Sequence, residues 1–113
     1  MSNKIIFHPS VIESAISLKD LGINELAWKW EDVHIVIDYL VENKYAILGG
    51  DVYLLQGDEK IVTYDSWYLD RDTGTSWLDY VIKSKETADE YINSYHMKNG
   101  DNYCYSIIYS KNE

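Results

Sequence analysis

Apolar positions fall into alternating stretches of helical and extended period along this chain. Val11, Ile12, Ala15, Ile16 and Leu18 or Leu21 recur at helical spacing. Ser10 and Glu13 precede them at capping-box distance, a hydroxyl for the first free N–H groups and a carboxylate reaching back. Gly22 stops the run, so a first helix is expected from about Ser10 to Leu21. Glu31 and Asp32 then place negative charge where it offsets a helix dipole. Val33, Val36, Ile37, Leu40 and Val41 give that second helix its apolar stripe, and Asn43 and Lys44 end it. Trp28 and Trp30 stand just before it, placed to anchor the entry into the core.

The period then changes. Tyr45 to Leu48 and Val52 to Gln56 are short apolar runs separated by Gly49-Gly50-Asp51, a turn or bulge signal. Gly57 to Lys60 has hairpin composition. Ile61 to Tyr64 and Trp67 to Leu69 resume an extended pattern, so a meander of short antiparallel strands is expected. A third helix follows the polar loop Asp70 to Gly74, capped by Thr75 or Ser76. Its stripe is the clearest in the chain: Trp77, Tyr80, Val81, Ser84, Thr87, Ala88, Tyr91, Ile92 and Tyr95. After a turn at Asn99-Gly100-Asp101, alternating Tyr103, Tyr105, Ile107 and Tyr109 read as a last strand. The order predicts an α+β fold: a mostly antiparallel sheet of about four to five short strands with about three helices packed on one face. No repeat, linker or low-complexity segment interrupts residues 1–113, which are expected to form a single domain.

Composition narrows what such a domain does. Eleven Tyr and four Trp against one Phe suit half-buried positions and contact surfaces that must stay soluble. The net charge of −9 repels phosphate backbones, which excludes nucleic acid as a natural partner, and it favours basic ones. Cys104 is the one cysteine, so no intramolecular disulfide or thiolate cluster can form. His8 and Pro9 cut short the apolar trio Ile5, Ile6 and Phe7, and no apolar run approaches the ~20 residues that span a bilayer. A cytoplasmic protein with no membrane association is expected.

Candidate chemistry is sparse. His8, His34 and His96 lie in separate segments without ligand-type neighbours at helical spacing, so no metal is expected. Cys104 alternates with Tyr103 and Tyr105, as a small buried hydrophobe in a strand does. Asp70 to Gly74 fails as a calcium loop: Gly74 arrives one position early, and Val81 stands where the bidentate glutamate belongs. Gly49-Gly50 lacks any phosphate-binding continuation. No cofactor and no catalytic residues are expected. What remains is the stretch from Asp51 to Asp72, which holds six acids against Lys60 and Arg71, with Tyr53, Tyr64, Trp67 and Tyr68 interleaved. Aromatics supply contact area and acids supply steering. The candidate partner-binding residues are therefore Asp51, Tyr53, Asp65, Trp67, Tyr68, Asp70 and Asp72. The competing arrangement is a sheet with its aromatics inward and its acids in loops.

Ala27-Trp28-Lys29-Trp30-Glu31-Asp32-Val33, then Tyr45 through Tyr53 with its Gly-Gly-Asp-Val-Tyr, then Tyr64-Asp65-Ser66-Trp67-Tyr68 resemble the immunity protein 40 family of bacterial polymorphic toxin systems. The resemblance runs from about Leu21 to Tyr109. It implies a small cytoplasmic protein, encoded beside a toxin, that neutralises the toxin's C-terminal domain by tight binding. It transfers no catalytic residues and does not name the toxin's activity. If that toxin is basic, as a nuclease is, Asp65, Asp70 and Asp72 are placed to stand in for phosphates. Two rivals follow from the residues alone: a small-molecule or regulatory binding domain with a Tyr-rich pocket, and a small enzyme using convergent carboxylates.

Overall fold

A computed structural model of the protein describes residues 9–112. The apolar trio Ile5 to Phe7, His8 and the capping side chain of Ser10 lie outside the described residues. The elements in chain order are α1 (Pro9–Glu13), β1 (Ile16–Ser17), a 3-10 turn (Lys19–Leu21), β2 (Leu26–Lys29), α2 (Trp30–Glu42), β3 (Tyr45–Gln56), β4 (Glu59–Tyr68), α3 (Trp77–Asn99), β5 (Tyr103–Ser106) and β6 (Ile108–Lys111). Every strand pairing is antiparallel, and β1-β2-β5-β3-β4 is the order across the sheet, with β6 also on β3. The α+β expectation holds, with six strands where four to five were expected.

The first helix is a correction. The residues expected to form it run as a short helix, a bridge strand and a 3-10 turn. Ser14 Oγ donates to the Val11 carbonyl, Ile16 then pairs with Ala27, and Leu18 is closed into a loop by hydrogen bonds with Glu25 and Ile23. Gly22, in the left-handed region at φ 75°, seals that turn. Packing explains the outcome. Leu18 is fully buried with Ala27, Tyr53 and Cys104, and Ile16, Leu21 and Ile23 gather round them. This loop caps the sheet face opposite the helices, which a regular helix there would leave bare. Tertiary burial of that kind outweighs a helix propensity worth tenths of a kcal/mol per residue.

The main core lies on the other face. Val11 of α1, the α2 stripe Val33, Val36, Ile37 and Leu40, and Ala88 and Ile92 of α3 pack on Trp28, Ile47, Val52, Trp67, Tyr105 and Ile107 of the sheet. All three helices thus contribute to one layer. Trp28 belongs to a strand, and its Nε1 donates to the Val11 carbonyl at 2.9 Å, tying α1 down. Ser76 caps α3 by accepting from the Asp79 N–H.

β3 is continuous where a break at Gly49-Gly50 was one expectation, so those glycines serve a bulge and not a turn. β6 shifts register between Ile47 and Gly49, and β4 shifts between Asp51 and Tyr53. A Cβ on Gly49 would strike the Trp67 carbonyl, and one on Gly50 would strike the Ser106 carbonyl and the Trp67 ring. The expected Ile61–Tyr64 and Trp67–Leu69 strands are likewise one strand, β4, and the last strand divides at Ile107 into β5 and β6.

Candidate functional site

The seven candidate contact residues divide by the pleat. On β3, Val52 faces the helical layer, so Asp51 and Tyr53 face the other side. Tyr53 is only 4% exposed, packed against Leu18 and Cys104. Burial first, then the charge of Asp51 and Glu25, pushes its hydroxyl up. On β4, Trp67 is 8% exposed and stacks on Tyr91 of α3, with ring centroids 5.1 Å apart. Tyr53 and Trp67 therefore support the surface from within and present little area to a partner.

Asp65 shares the helix-facing side with Trp67. It accepts a hydrogen bond from the Tyr95 hydroxyl at 2.8 Å. Burial, followed by that bond, pushes the Tyr95 hydroxyl up to about 12, so it stays protonated and donating. Tyr91, Tyr95, Tyr103 and Tyr105 continue the aromatic ladder from Trp67 along the same layer. Much of the tyrosine content is spent there.

Tyr68 ends β4, and Asp70 and Asp72 follow in the loop after it. Tyr68 is 70% exposed. Asp70 and Asp72 line a groove of about 390 Å³ between the loop after β4 and the first turns of α3. Leu69, Tyr80 and Ile82 supply its apolar parts, and the Tyr80 hydroxyl donates to the Leu69 carbonyl at 2.6 Å, pinning loop to helix. Asp79 and Glu86 also line it, two helical turns apart on α3 with Ile82 and Lys83 between them. Four carboxylates thus surround the groove against one lysine. Arg71, the nearest arginine in sequence, lies over the Trp77 ring at 5.4 Å and donates from Nε to the Thr75 carbonyl. The apolar stripe of α3 announces only its buried face; the seven-residue spacing of Asp79 and Glu86 on the exposed face was the available signal for them.

Cys104, His34 and His96 are held within the fold. Cys104 is fully buried, and burial pushes its thiol up to about 12, the reverse of an activated nucleophile. His34 sits between α2 and α3, with Nδ1 2.9 Å from Asp89 Oδ1 and Nε2 3.0 Å from Asn93 Oδ1. His96 stacks on Trp30 with centroids 4.0 Å apart. Among the described residues no group of three or more His, Cys, Asp or Glu side chains is placed to hold a metal ion, and no helix is long and apolar enough to cross a membrane.

The layered α+β fold thus carries a cluster of carboxylates between the loop after its edge strand and α3. In comparison with known families, the sequence model of Immunity protein 40 matches residues 17–109. The chain belongs to the Immunity protein 40 family. No curated protein and no solved structure matches it.

Proposed function

We propose that this chain is a cytoplasmic immunity protein that neutralises the C-terminal domain of a cognate polymorphic toxin by direct stoichiometric binding, without catalysis. The family it belongs to supports the class, since an immunity protein implies a toxin as partner. The observation that carries the finer reading is the groove at the end of β4, where Asp70, Asp72, Asp79 and Glu86 stand against Lys83, while Tyr68, the last residue of the strand that leads to it, is exposed. Carboxylates on that scale attract a basic surface and speed its encounter, and an exposed tyrosine adds contact area at low entropic cost. Asp51 and Asp65 extend the negative field along the strands, and Tyr53 and Trp67 hold those strands in place from within.

The direct test is charge reversal. Asp70→Lys with Asp72→Lys should weaken binding to the toxin domain on the order of tenfold or more and flatten its dependence on ionic strength. Both positions are exposed loop residues, so thermal unfolding of the free protein should hardly change. Unchanged toxin affinity in the double variant would remove the basic-partner reading.

A further inference from the structure

We propose that Tyr64 is the anchor by which this chain grips its partner, an exposed aromatic held out on a strained backbone to enter an apolar pocket with a basic rim on the toxin domain. The proposal rests on the immunity reading above and deepens it.

Tyr64 has φ 66°, the left-handed region that large side chains rarely adopt. The strain comes from the register. From Asp51 to Tyr53 on β3 is two steps, while their partners Ser66 and Val62 on β4 lie four steps apart. The excess is taken up in a bulge around Tyr64. Hydrogen bonds hold both flanks: Thr63 Oγ1 donates to the Val52 carbonyl at 2.8 Å, the Asp65 N–H donates to Thr63 Oγ1 at 3.1 Å, and the Tyr95 hydroxyl donates to Asp65. The bulge is thus braced against both β3 and α3.

The side chain so presented is 91% exposed. It gains almost nothing from packing in the free chain, while the backbone beneath it is in an unfavourable conformation. A bulge that served only to twist the edge strand away from aggregation would be better filled by glycine, which adopts this φ without strain. A rigid aromatic in that place is what an interface anchor requires. Charge selects the occupant. Asp58, Glu59, Asp65 and Asp70 lie on β4 or at its ends; Lys60 is paired with Asp20 at 2.9 Å, and Arg71 is held over Trp77. The pocket that receives Tyr64 is therefore rimmed by Lys or Arg.

The test compares Tyr64→Gly and Tyr64→Phe with the unchanged chain. Affinity is measured by calorimetry against the purified toxin domain encoded beside this chain, and thermal unfolding is measured on each free protein. The expected result is that Tyr64→Gly unfolds at the same or a higher temperature yet binds on the order of tenfold or more weakly, while Tyr64→Phe keeps its affinity. Wild-type affinity in Tyr64→Gly overturns this proposal alone. So does a loss of affinity matched by a drop in unfolding temperature, or a homodimer of this chain that Tyr64→Gly breaks. Absence of binding by the unchanged chain overturns both this proposal and the immunity reading beneath it.

Discussion

Gly50 and Trp67 are one feature seen from two strands. They stand opposite each other across the β3–β4 pair, and the indole lies where a Gly50 side chain would be. Neither the Ser106 carbonyl nor the packed indole can withdraw cheaply, so Gly50→Ala should cost about 3 kcal/mol, at the upper end of overpacking. Urea unfolding of the variant measures it, and a loss under about 1 kcal/mol would mean the strands part more easily than their packing implies. The same pair shows what the residues disclosed unaided. Gly49-Gly50 was legible as a turn or a bulge, and only the unbroken β3 decides for the bulge. Whether Trp67 and Tyr53 faced inward was not legible, because two register shifts along β3 break the parity that assigns a strand residue to a face.

At the scale of elements, α2 and α3 were legible from their stripes and the β3–β4 hairpin from Gly57-Asp58. The β1–β2 bridge was not. Ile16 and Ser17 pair with Leu26–Lys29, which itself depends on β5 far along the chain, and a strand two to four residues long carries too little periodicity to announce itself. The helices are clasped by charge as well as by apolar packing. Asn93 Oδ1 accepts from the Trp30 indole at 2.8 Å, so the His34 Nε2 facing that oxygen must also donate, as must Nδ1 facing Asp89. An imidazolium satisfies both contacts. The hydrogen bond with Asp89 accordingly raises the His34 pKa against the opposing effect of burial. Burial would raise the Asp89 carboxyl, but hydrogen bonds from His34 and Lys85 outweigh it and hold it low. Lys85 also reaches Asp38 at 3.2 Å, closing the network across both helices. A raised folded-state pKa stabilises below the unfolded value near 6.5, and the contribution fades as pH rises through the folded value. His34→Gln should therefore destabilise more at pH 5.5 than at pH 8.5, by on the order of 1 kcal/mol for so partly exposed a group. Thermal unfolding of both proteins across that range checks it, and an equal loss at both pH values would leave the imidazole neutral in the clasp.

For the whole molecule, the proposed function rests on what the helical layer leaves outside. The layer buries the aromatic ladder from Trp67 to Tyr105, while β4 and the loop after it carry exposed tyrosines and carboxylates. The acidic balance of the chain was legible in the sequence, and the proposal reads it as a preference for basic partners. The grouping of Asp70 and Asp72 with Asp79 and Glu86 was not, since it depends on where α3 begins relative to the end of β4. The most direct test of the account is titration calorimetry of this chain into the proposed cognate toxin domain, at low and at physiological salt. The account predicts a saturable one-to-one complex, with a Kd of about nanomolar or tighter, that weakens as salt rises. No saturable binding at either salt concentration would contradict it.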